Sequence, residues 1–421
     1  GYDQARRRIR GEKLKQEFSL KTSIHTMYYL PDFGSAPILM NELAVYLAGR
    51  GGRVEVVTTF PRERADALKT RLYQRSTPDG FSVKRFWTNS NPNPLGRLLA
   101  WNIYTAGSLL NLATVKRGDV VFLRTPPLQL GLTGYLAKKL RRARILLSVQ
   151  DIHPDLAIES GILKNPWGIK FAKALEKWVY RISDSIVVIS EGFRQNLLAK
   201  GVDPAKLTII PNWVDTDFLK PLPKDNPVSR RNGLAGKFVV MYSGTISISS
   251  NRALERILES AGLLKTDPDI LFAIVGEGLK KDELRGKAER MNLSNVVFLP
   301  FQPYADLPEL LASSDVLLVP LDSEKSQMSV PSKLYNFMAA GRPILGLSDP
   351  SSEVAGLIAG TGSGLCLPSD DIGAIARAVR SLRDSAGDRR RFGDNARKYA
   401  VENYGKSMVL EKYADLISSL S

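Results

Sequence analysis

Apolar residues in the first half of the chain occur in short runs separated by amphipathic stretches. Residues 23–29 and 53–59 read as strands, and residues 38–49 between them read as a helix. This strand–helix–strand order predicts a parallel sheet with helices on both faces. The same alternation then continues, with strands predicted at 120–123, 145–149 and 186–189 and helices at 130–140 and 167–181.

A second series of the same kind follows a proline-rich break. The stretch from residue 211 to residue 233 contains four prolines, too many for a helix or a central strand. Beyond it, strands are predicted at 238–242, 270–275, 296–299, 316–319 and 343–347, with helices at 252–264, 280–291, 306–313, 332–340 and 371–382.

The pattern predicts two doubly wound α/β domains. We expect the first at residues 21–215 and the second at 236–405, joined by a linker at 216–235. Residues 1–20 form a basic N-terminal arm, and residues 406–421 form a closing helix that packs back on the first domain. Because ligands of such domains bind at the carboxyl ends of the strands, we expect the site in a cleft between the two sheets.

Charge distinguishes the two halves. Residues 1–220 carry +15 of the net charge of +16, which leaves the second half close to neutral. A basic first half indicates an anionic partner, for which a membrane surface, a phosphorylated substrate and nucleic acid are the candidates. The densest basic run contains Lys138, Lys139, Arg141, Arg142 and Arg144, and its simplest interpretation is a solvated helix end.

The chain offers few ligands for a metal. A single cysteine excludes an intramolecular disulfide and a cysteine-based zinc site, and it favours a reducing cytoplasm. Of the two histidines, His25 lies inside the first predicted strand and is expected to belong to the core. Two Asp-x-Asp triplets, at 215–217 and 267–269, fall in the linker and in a turn, so we interpret them as chance and expect no metal.

No segment has the pattern of an export signal or a transmembrane helix. The basic N-terminus lacks an apolar core, and the apolar run at 120–137 is interrupted by Arg124 and two prolines. Residues 95–115 have a broad apolar face, which indicates either an ordinary packed helix or a monotopic membrane contact. In the second case Trp101 and Tyr104 would lie at the lipid interface, with Arg97 near the headgroups.

Residues 328–344 are the most informative block. They read MSVPSKLYNFMAAGRPI, which predicts a loop, a helix with proline near its start, a glycine stop and a strand. Free amides at Ser329, Val330 and Ser332 would suit a diphosphate, and Lys333 adds a positive charge. Asn336, about one turn further on, is placed to reach a ribose hydroxyl, although a simple capped helix would also explain the pattern.

This block resembles the donor-binding segment of the family 4 retaining glycosyltransferases of GT-B fold. Further blocks resemble the same family in the same order over some 320 residues, most nearly the colanic-acid and O-antigen type transferases. They are residues 125–128 (TPPL), 151–155 (DIHPD), 188–191 (VISE), 209–215 (IIPNWVD), 242–245 (YSGT) and 274–278 (IVGEG).

The resemblance implies a fold, a reaction and a set of donor-binding residues. The fold is GT-B, two Rossmann-like domains facing across a cleft, with the acceptor on the first and a nucleotide-sugar, UDP-linked as we interpret it, on the second. It implies hexosyl or N-acetylhexosaminyl transfer with retention, without a cofactor. The donor-binding positions, besides those of the 328–344 block, are Gly34, Ser35, Ser243, Gly244, Thr245, Gly276, Phe301 and Gln302.

Two departures from the family pattern affect the donor segment. The family commonly carries two glutamates spaced eight residues apart, and the corresponding positions here are Met328 and Asn336. An amide retains hydrogen bonds to a ribose but lacks the charge-assisted bond of a carboxylate. The loop at 243–250 also lacks the frequent Arg/Lys pair, which leaves Arg252, Arg256 and Lys333 as the cations within reach.

The chemistry that the resemblance implies requires little side-chain catalysis. The main task is to stabilise the charge on the departing diphosphate, for which Lys333 is the candidate. His153 follows a strand end, where it would contact the donor sugar or leaving group; the alternative is a loop histidine that pairs with Asp155. Asp151 is the candidate to orient His153 or to bind the acceptor.

Three functions compete on the sequence alone. The first is a glycosyltransferase that extends a polyprenyl-diphosphate-linked saccharide at the cytoplasmic face of the plasma membrane, with peripheral attachment through Arg97, Trp101, Tyr104 and the basic run. The second is a nucleotide-sugar epimerase of the same fold, which the missing carboxylates disfavour. The third is a nucleic-acid binder, which we do not expect because no reading motif is present.

Overall fold

The computed structural model describes residues 21–32, 34–61, 72–89, 91, 93–159, 161–246, 248–321 and 330–420. The predicted N-terminal arm at 1–20 lies outside these residues. The chain divides into two compact units, of which the first ends at Pro211 and the second extends from Asn212 to Met408. The C-terminal segment from Val409 belongs to the first unit.

The first unit is built on an eight-stranded sheet in the order β3-β4-β2-β1-β5-β6-β7-β8, in which only the edge strand β3 is antiparallel. The strands are β1 Lys21–His25, β2 Arg53–Thr59, β3 Tyr73–Ser76, β4 Ser82–Phe86, β5 Val120–Thr125, β6 Arg144–Val149, β7 Ser185–Val188 and β8 Leu207–Ile209. The helices are α1 Ser35–Gly49, α2 Pro94–Leu110, α3 Leu130–Arg141, α4 Asp155–Glu159, α5 Pro166–Ile182 and α6 Glu191–Ala199.

The second unit is built on a six-stranded parallel sheet in the order β11-β10-β9-β12-β13-β14, the strand order of a dinucleotide-binding domain. Its strands are β9 Phe238–Ser243, β10 Ile270–Val275, β11 Val296–Leu299, β12 Val316–Pro320, β13 Ile344–Leu347 and β14 Gly364–Leu367. Its helices are α7 Pro227–Arg231, α8 Ile248–Leu263, α9 Lys281–Arg290, α10 Leu307–Ala312, α11 Lys333–Ala339, α12 Glu353–Thr361, α13 Ile372–Asp384 and α14 Ala386–Tyr404, followed by α15 Lys406–Ser419.

The predicted fold class is confirmed, because both sheets are doubly wound. Strand order reverses between β1 and β5 in the first sheet and between β9 and β12 in the second. Such reversals open a crevice at the carboxyl ends of the strands, where α/β proteins bind ligands. We therefore expect a site at the loops that follow β1, β5, β6, β9 and β10.

The proline-rich segment 216–235 is part of the second unit rather than a free linker. It contains α7 and contributes the buried side chains of Leu219, Val228 and Leu234 to the core of that unit. Prolines exclude a long helix here, but the apolar residues between them still bury their side chains on the domain.

The closing helix α15 carries its later residues into the first unit. Tyr413 is fully buried there, with its ring 6.0 Å from that of Phe122. Glu411 accepts hydrogen bonds from Tyr46 and Arg50 of α1. The amphipathic pattern of 407–420 thus serves to bury one face of this helix on the sheet of the first unit.

His25 is a core residue, as the sequence predicts. The ring is fully buried, with Nε2 3.0 Å from the hydroxyl of Ser23 and Nδ1 2.7 Å from that of Ser108. Burial lowers the pKa of His25 to about 3, with Lys21 and Lys84 adding to the effect and Glu55 opposing it. His25 is therefore neutral in the folded protein at pH 7.

The buried imidazole of His25 makes the stability of the first unit depend on pH. Its pKa is lower in the folded state than the 6.5 of the unfolded chain, so the unfolded state binds the proton first as pH falls. We expect the free energy of unfolding to decrease from about pH 6.5 downward, by up to about 1.4 kcal/mol per pH unit for one histidine. Denaturant unfolding at pH 7, 6 and 5 measures it. The His25→Gln variant should be less stable overall and show a shallower slope, and an unchanged slope would contradict this assignment.

Candidate functional site

In the second unit, the loops after β9 and β10 pack against each other backbone to backbone. The amide of Gly244 donates to the carbonyl of Val275 at 3.0 Å, and the amide of Gly276 donates to that of Leu299 at 3.0 Å. Both glycines have positive φ, 150° and 147°. A Cβ built on Gly276 would lie 1.9 Å from the carbonyl oxygen of Gly244, so only glycine fits there.

Lys333 extends from the first turn of α11 to the loop after β9. Its Nζ donates to the hydroxyl of Tyr242 at 2.9 Å and lies 4.1 Å from the centre of that ring. The hydroxyl of Tyr242 in turn donates to the carbonyl of Thr245 at 2.6 Å. A Cβ on Gly244 would be 2.8 Å from Nζ, so this glycine is what allows the ammonium to lie against the loop.

The ammonium of Lys333 is half-buried, and its partners within the described residues are the hydroxyl and the ring of Tyr242. Burial lowers its pKa from 10.5 to about 8, so most of it is charged at pH 7. Across the described residues, no carboxylate forms an ion pair with it. A desolvated charge held by one phenol hydroxyl and one ring face is poorly compensated, and an anion at this position would compensate it.

The helix of the donor segment is shorter than the predicted 332–340 by one residue at each end. Helix α11 has seven residues and starts at Lys333, while Ser332 at its N-cap makes no capping hydrogen bond through its side chain. Val330 is buried, Asn336 is half-buried, and Ser329 lies outside the described residues, as does Met328. Because so short a helix has a small dipole, the charge of Lys333 is the stronger anion-binding element.

The remaining predicted donor residues lie along the carboxyl ends of the second sheet. Ser243 ends β9, and the exposed Thr245 follows Gly244. Phe301 is 53% exposed, and its ring lies 3.5 Å from where a Cβ on Gly276 would be. Gln302 accepts a hydrogen bond from Arg231 and donates one to the carbonyl of Pro300. Phe301 thus offers an exposed aromatic face beside the glycine loops, suited to stacking on a base.

In the first unit, His153 lies just beyond the carboxyl end of β6. Its ring is half-buried and meets that of Trp101 edge to face, with centroids 5.7 Å apart. Burial and the nearby Arg97 lower the pKa of His153 to about 4, against the opposing effect of Asp155. The imidazole is therefore neutral at pH 7, where it hydrogen-bonds as both donor and acceptor.

Asp151, at the same end of the sheet, interacts electrostatically with two arginines, Arg124 and Arg97. Asp151 is exposed to solvent. The surrounding protein nevertheless desolvates its carboxyl, which raises the pKa, while the positive charges of Arg124 and Arg97 act to lower that pKa. Arg124 is next to last in the apolar strand β5, and its Nε is buried without a hydrogen-bond partner among the described residues. In the sequence, Arg124 stands out only as an interruption of an apolar run. The signal for a site residue was its position, next to last in a buried strand at the carboxyl end.

Gly34 and Ser35 form the start of α1, which follows β1. Gly34 has φ of 118°, is exposed and has open space where a side chain would be. Gly34 at the N-cap offers no side chain, and within the described residues this fifteen-residue helix has no side-chain cap hydrogen bond. An uncapped helix start of this kind suits an anion or a polar ligand.

The predicted membrane residues of α2 differ in how far they are exposed to solvent. Tyr104 is wrong as a lipid contact, because it is fully buried and its hydroxyl donates to the carbonyl of Val57 at 2.8 Å. Trp101 is half-buried against His153, and the exposed Arg97 lies 5.9 Å from its ring. The helix has apolar residues on two faces, and the one that carries Tyr104 packs on the sheet.

The basic run of α3 lies at the amino ends of the strands, away from His153. Lys138 forms an ion pair with Asp184 at 2.7 Å, so it is not a free cation. Lys139, Arg141 and Arg142 are exposed. Helix α3 runs from the end of β5 to the start of β6, and a six-residue strand spans roughly 20 Å. These charges are therefore distant from Asp151 and His153.

The two Asp-x-Asp triplets have local partners. Asp267 pairs with Arg380 and Arg383, at 2.8 and 2.7 Å. Asp215 accepts hydrogen bonds from the amides of Asp217 and Phe218. Over the described ranges, no group of three or more His, Cys, Asp or Glu residues is arranged to hold a metal ion. No described helix is long and apolar enough to cross a bilayer.

Two sequence families match the chain. Residues 37–213 match the family described as "Glycosyl transferase 4-like domain", and residues 228–399 match "Glycosyl transferases group 1". Together the two matches cover most of both compact units.

Relatives in curated collections carry transferase names. A probable glycosyltransferase, WbjE, of Pseudomonas aeruginosa is 29% identical over 72% of this chain and 76% of its own length. A putative colanic acid biosynthesis glycosyl transferase, WcaI, of Escherichia coli is 26% identical over 94% of this chain and 98% of its own.

Solved structures share the fold. HepE of Anabaena, in complex with UDP-glucose, superposes with a TM-score of 0.70 at 17% identity, covering 95% of this chain and 100% of HepE. WaaG, a glycosyltransferase of lipopolysaccharide biosynthesis, gives 0.67 at 18% identity, covering 94% of this chain and 99% of its own. At these identities the likeness shows the fold alone.

Proposed function

We propose a specific reaction for this chain, which belongs to the family 4 glycosyltransferases of GT-B fold: transfer of a sugar from a UDP-sugar to a polyprenyl-diphosphate-linked saccharide, with retention of configuration. The observation that carries the proposal is the half-buried ammonium of Lys333, which Tyr242 holds beside Gly244 and which has no ion-paired carboxylate in the described part of the chain. The epimerase and nucleic-acid alternatives have no support in the relatives, which are named as transferases.

The second unit binds the donor in this proposal. The diphosphate lies at Lys333, between the loops after β9 and β10, and the base stacks on the exposed ring of Phe301. Asn336, half-buried one turn along α11, hydrogen-bonds the ribose. The choice of UDP is supported by HepE, a protein of the same fold whose structures contain UDP and UDP-glucose.

Charge stabilisation on the leaving diphosphate is the chemical task of this site. As the bond between the sugar and the diphosphate breaks, negative charge grows on the phosphate oxygens, and a fixed cation in a desolvated position stabilises it without reorganisation. Burial of Lys333 strengthens this interaction, because the local dielectric is low. In our proposal the ammonium takes the role for which other transferases use a metal ion, so activity persists in EDTA.

The first unit binds the acceptor. The neutral imidazole of His153 hydrogen-bonds sugar hydroxyls, and Asp151 accepts a hydrogen bond from the attacking hydroxyl. Arg97 and Arg124 add positive charge at the same end of the sheet, which suits an acceptor that carries a diphosphate. Together with the name of the relative WcaI, this supports a role in cell-surface polysaccharide synthesis at the cytoplasmic face of the membrane.

A nucleotide panel tests the donor site. We expect UDP to raise the melting temperature of the full chain more than GDP, dTDP or ADP, because a ligand at 100 times its dissociation constant stabilises the native state by about 2.7 kcal/mol. Differential scanning fluorimetry with each nucleotide, with and without EDTA, measures the shift. A larger shift with another base would change the assigned donor. No shift with any of the four would contradict the donor site.

A further inference from the structure

Helix α5 presents a stripe of large apolar side chains to solvent. Trp167 is 80% exposed and Phe171, one turn later, is 72% exposed. Lys170 and Lys173 are exposed beside them, and Lys170 lies 5.9 Å from the Trp167 ring. The only acid of this helix, Glu176, is buried and paired with Lys200. The exposed surface of α5 is therefore both apolar and cationic.

The stripe lies at the carboxyl-end edge of the first sheet, which also carries Asp151 and His153. Helices α2, α3 and α5 form one layer, with α3 in the middle: Gly131 of α3 packs against Val179 of α5, and α2 contacts α3. Each of the three follows a strand, so each begins at the carboxyl ends. Trp101 of α2 contacts His153 there. The first turns of α2 and α5 are thus on the same edge as the proposed acceptor residues.

Further exposed apolar residues lie at the start of α2 and just before α5. At the start of α2, Leu95 is 79%, Leu98 45% and Leu99 53% exposed, and before α5 Ile162 is 55% exposed. We use the term apolar rim for these residues together with those of α5: Leu95, Leu98, Leu99, Ile162, Trp167 and Phe171. Large apolar side chains exposed in such number at one end of a domain indicate an interaction site.

The composition of the apolar rim favours a lipid surface over a protein. Protein interfaces are enriched in aromatic residues but depleted in lysine. Tryptophan, phenylalanine and leucine with interspersed lysine are instead typical of segments that lie in the headgroup region of an anionic bilayer. The lysines supply charge complementarity to the lipid phosphates.

We propose that the apolar rim inserts into the surface of an anionic membrane and presents the Asp151 and His153 end of the first unit to it. The inference rests on the proposed function, since a lipid-linked saccharide begins at that surface. It assigns membrane contact to α5 and the start of α2. The basic run of α3, at the opposite ends of the strands, lies outside this contact.

Vesicle flotation of the full chain tests the assignment. Vesicles of phosphatidylcholine with about one-third phosphatidylglycerol should bind the wild type, and pure phosphatidylcholine should bind it less. The double variant Trp167→Ser, Phe171→Ser should lose roughly tenfold or more in partitioning. Leu110→Ser is the matched control, because Leu110 is 72% exposed but ends α2 at the far side of the sheet, and it should bind as the wild type does.

Three results would overturn the proposal. They are absence of wild-type binding, equal binding by the double variant, and a wild-type dimer in solution that the double variant converts to a monomer. The stabilisation by UDP separates this proposal from the proposed function, because the rim variants leave the second unit intact. A protein that UDP stabilises but vesicles do not bind refutes the rim alone, whereas vesicle binding without UDP stabilisation refutes the donor site alone.

Discussion

Replacing Lys333 with alanine should reduce the rate of UDP release from the donor by about 100- to 1,000-fold. Removing one preorganised group that stabilises developing charge typically costs about 2.7–4 kcal/mol of transition-state stabilisation. Here the group is the half-buried ammonium of Lys333, held against Tyr242 and Gly244. The measurement is a coupled assay of UDP release with saturating donor, with melting curves to show that the variant is folded.

Lys139 provides the matched control for charge. It is exposed on α3 of the first unit, so Lys139→Ala removes the same charge without touching the donor loops. We expect its rate to stay within about twofold of the wild type, because exposed charges interact weakly. Equal rates for the two variants would show that the diphosphate does not bind at Lys333.

Replacing Gly276 with alanine should destabilise the second unit and abolish turnover. The methyl group would lie 1.9 Å from the carbonyl oxygen of Gly244, and a backbone atom cannot move aside by changing a rotamer. A φ of 147° adds strain for any residue with a side chain. We expect a loss of about 3 kcal/mol and a fall in melting temperature of roughly 5–10 °C, measured by calorimetry.

Gly356 is the control for the glycine substitution. It is exposed inside α12, where nothing lies within 4 Å of an added Cβ. Alanine there should be neutral or stabilise the protein by up to about 1 kcal/mol, since alanine is the better helix former. If Gly276→Ala were as stable and as active as Gly356→Ala, the tight packing of the two glycine loops would be refuted.

The sequence predicted those elements that bury continuous apolar runs. Strands such as β6 and β9 are fully or almost fully buried, so their position follows from hydrophobicity alone. Helix α14 was not predicted, because it packs through small residues. A Cβ on its Gly393 would lie 2.4 Å from the carbonyl of Gly341, a close contact that leaves no apolar periodicity to detect. The edge strand β3 was also not predicted, because its residues alternate between exposed and half-buried and form no buried apolar run.

The sequence predicted which residues belong to the candidate site better than it predicted their contacts in the fold. Lys333 and Gly244 were expected from motifs 89 residues apart, but the tyrosine that joins them was not. Tyr104 was misassigned because α2 is apolar on two faces, and periodicity does not tell which face meets the sheet. The sequence predicts a helix at 167–181 but not the exposure of Trp167 and Phe171, because exposure depends on tertiary packing.

Ion pairs within the first unit hold several of its basic residues. Glu55, whose burial alone would raise its pKa, pairs with Lys84 and Lys21, which lower that pKa to about 2. Lys138 pairs with Asp184. Several of the basic residues of the first unit therefore stabilise its own fold, and the remaining cations near α5 and His153 are available to an anionic partner.

The most direct test of the proposed function is a transfer assay on a lipid-linked acceptor. The full chain is incubated with a panel of UDP-sugars and a polyprenyl-diphosphate-linked saccharide, and the lipid product is analysed by mass spectrometry and by NMR of the new linkage. We predict one added sugar for each UDP released, with the anomeric configuration of the donor. A product that forms without any acceptor, an inverted linkage, or no UDP release from any member of the panel would contradict it.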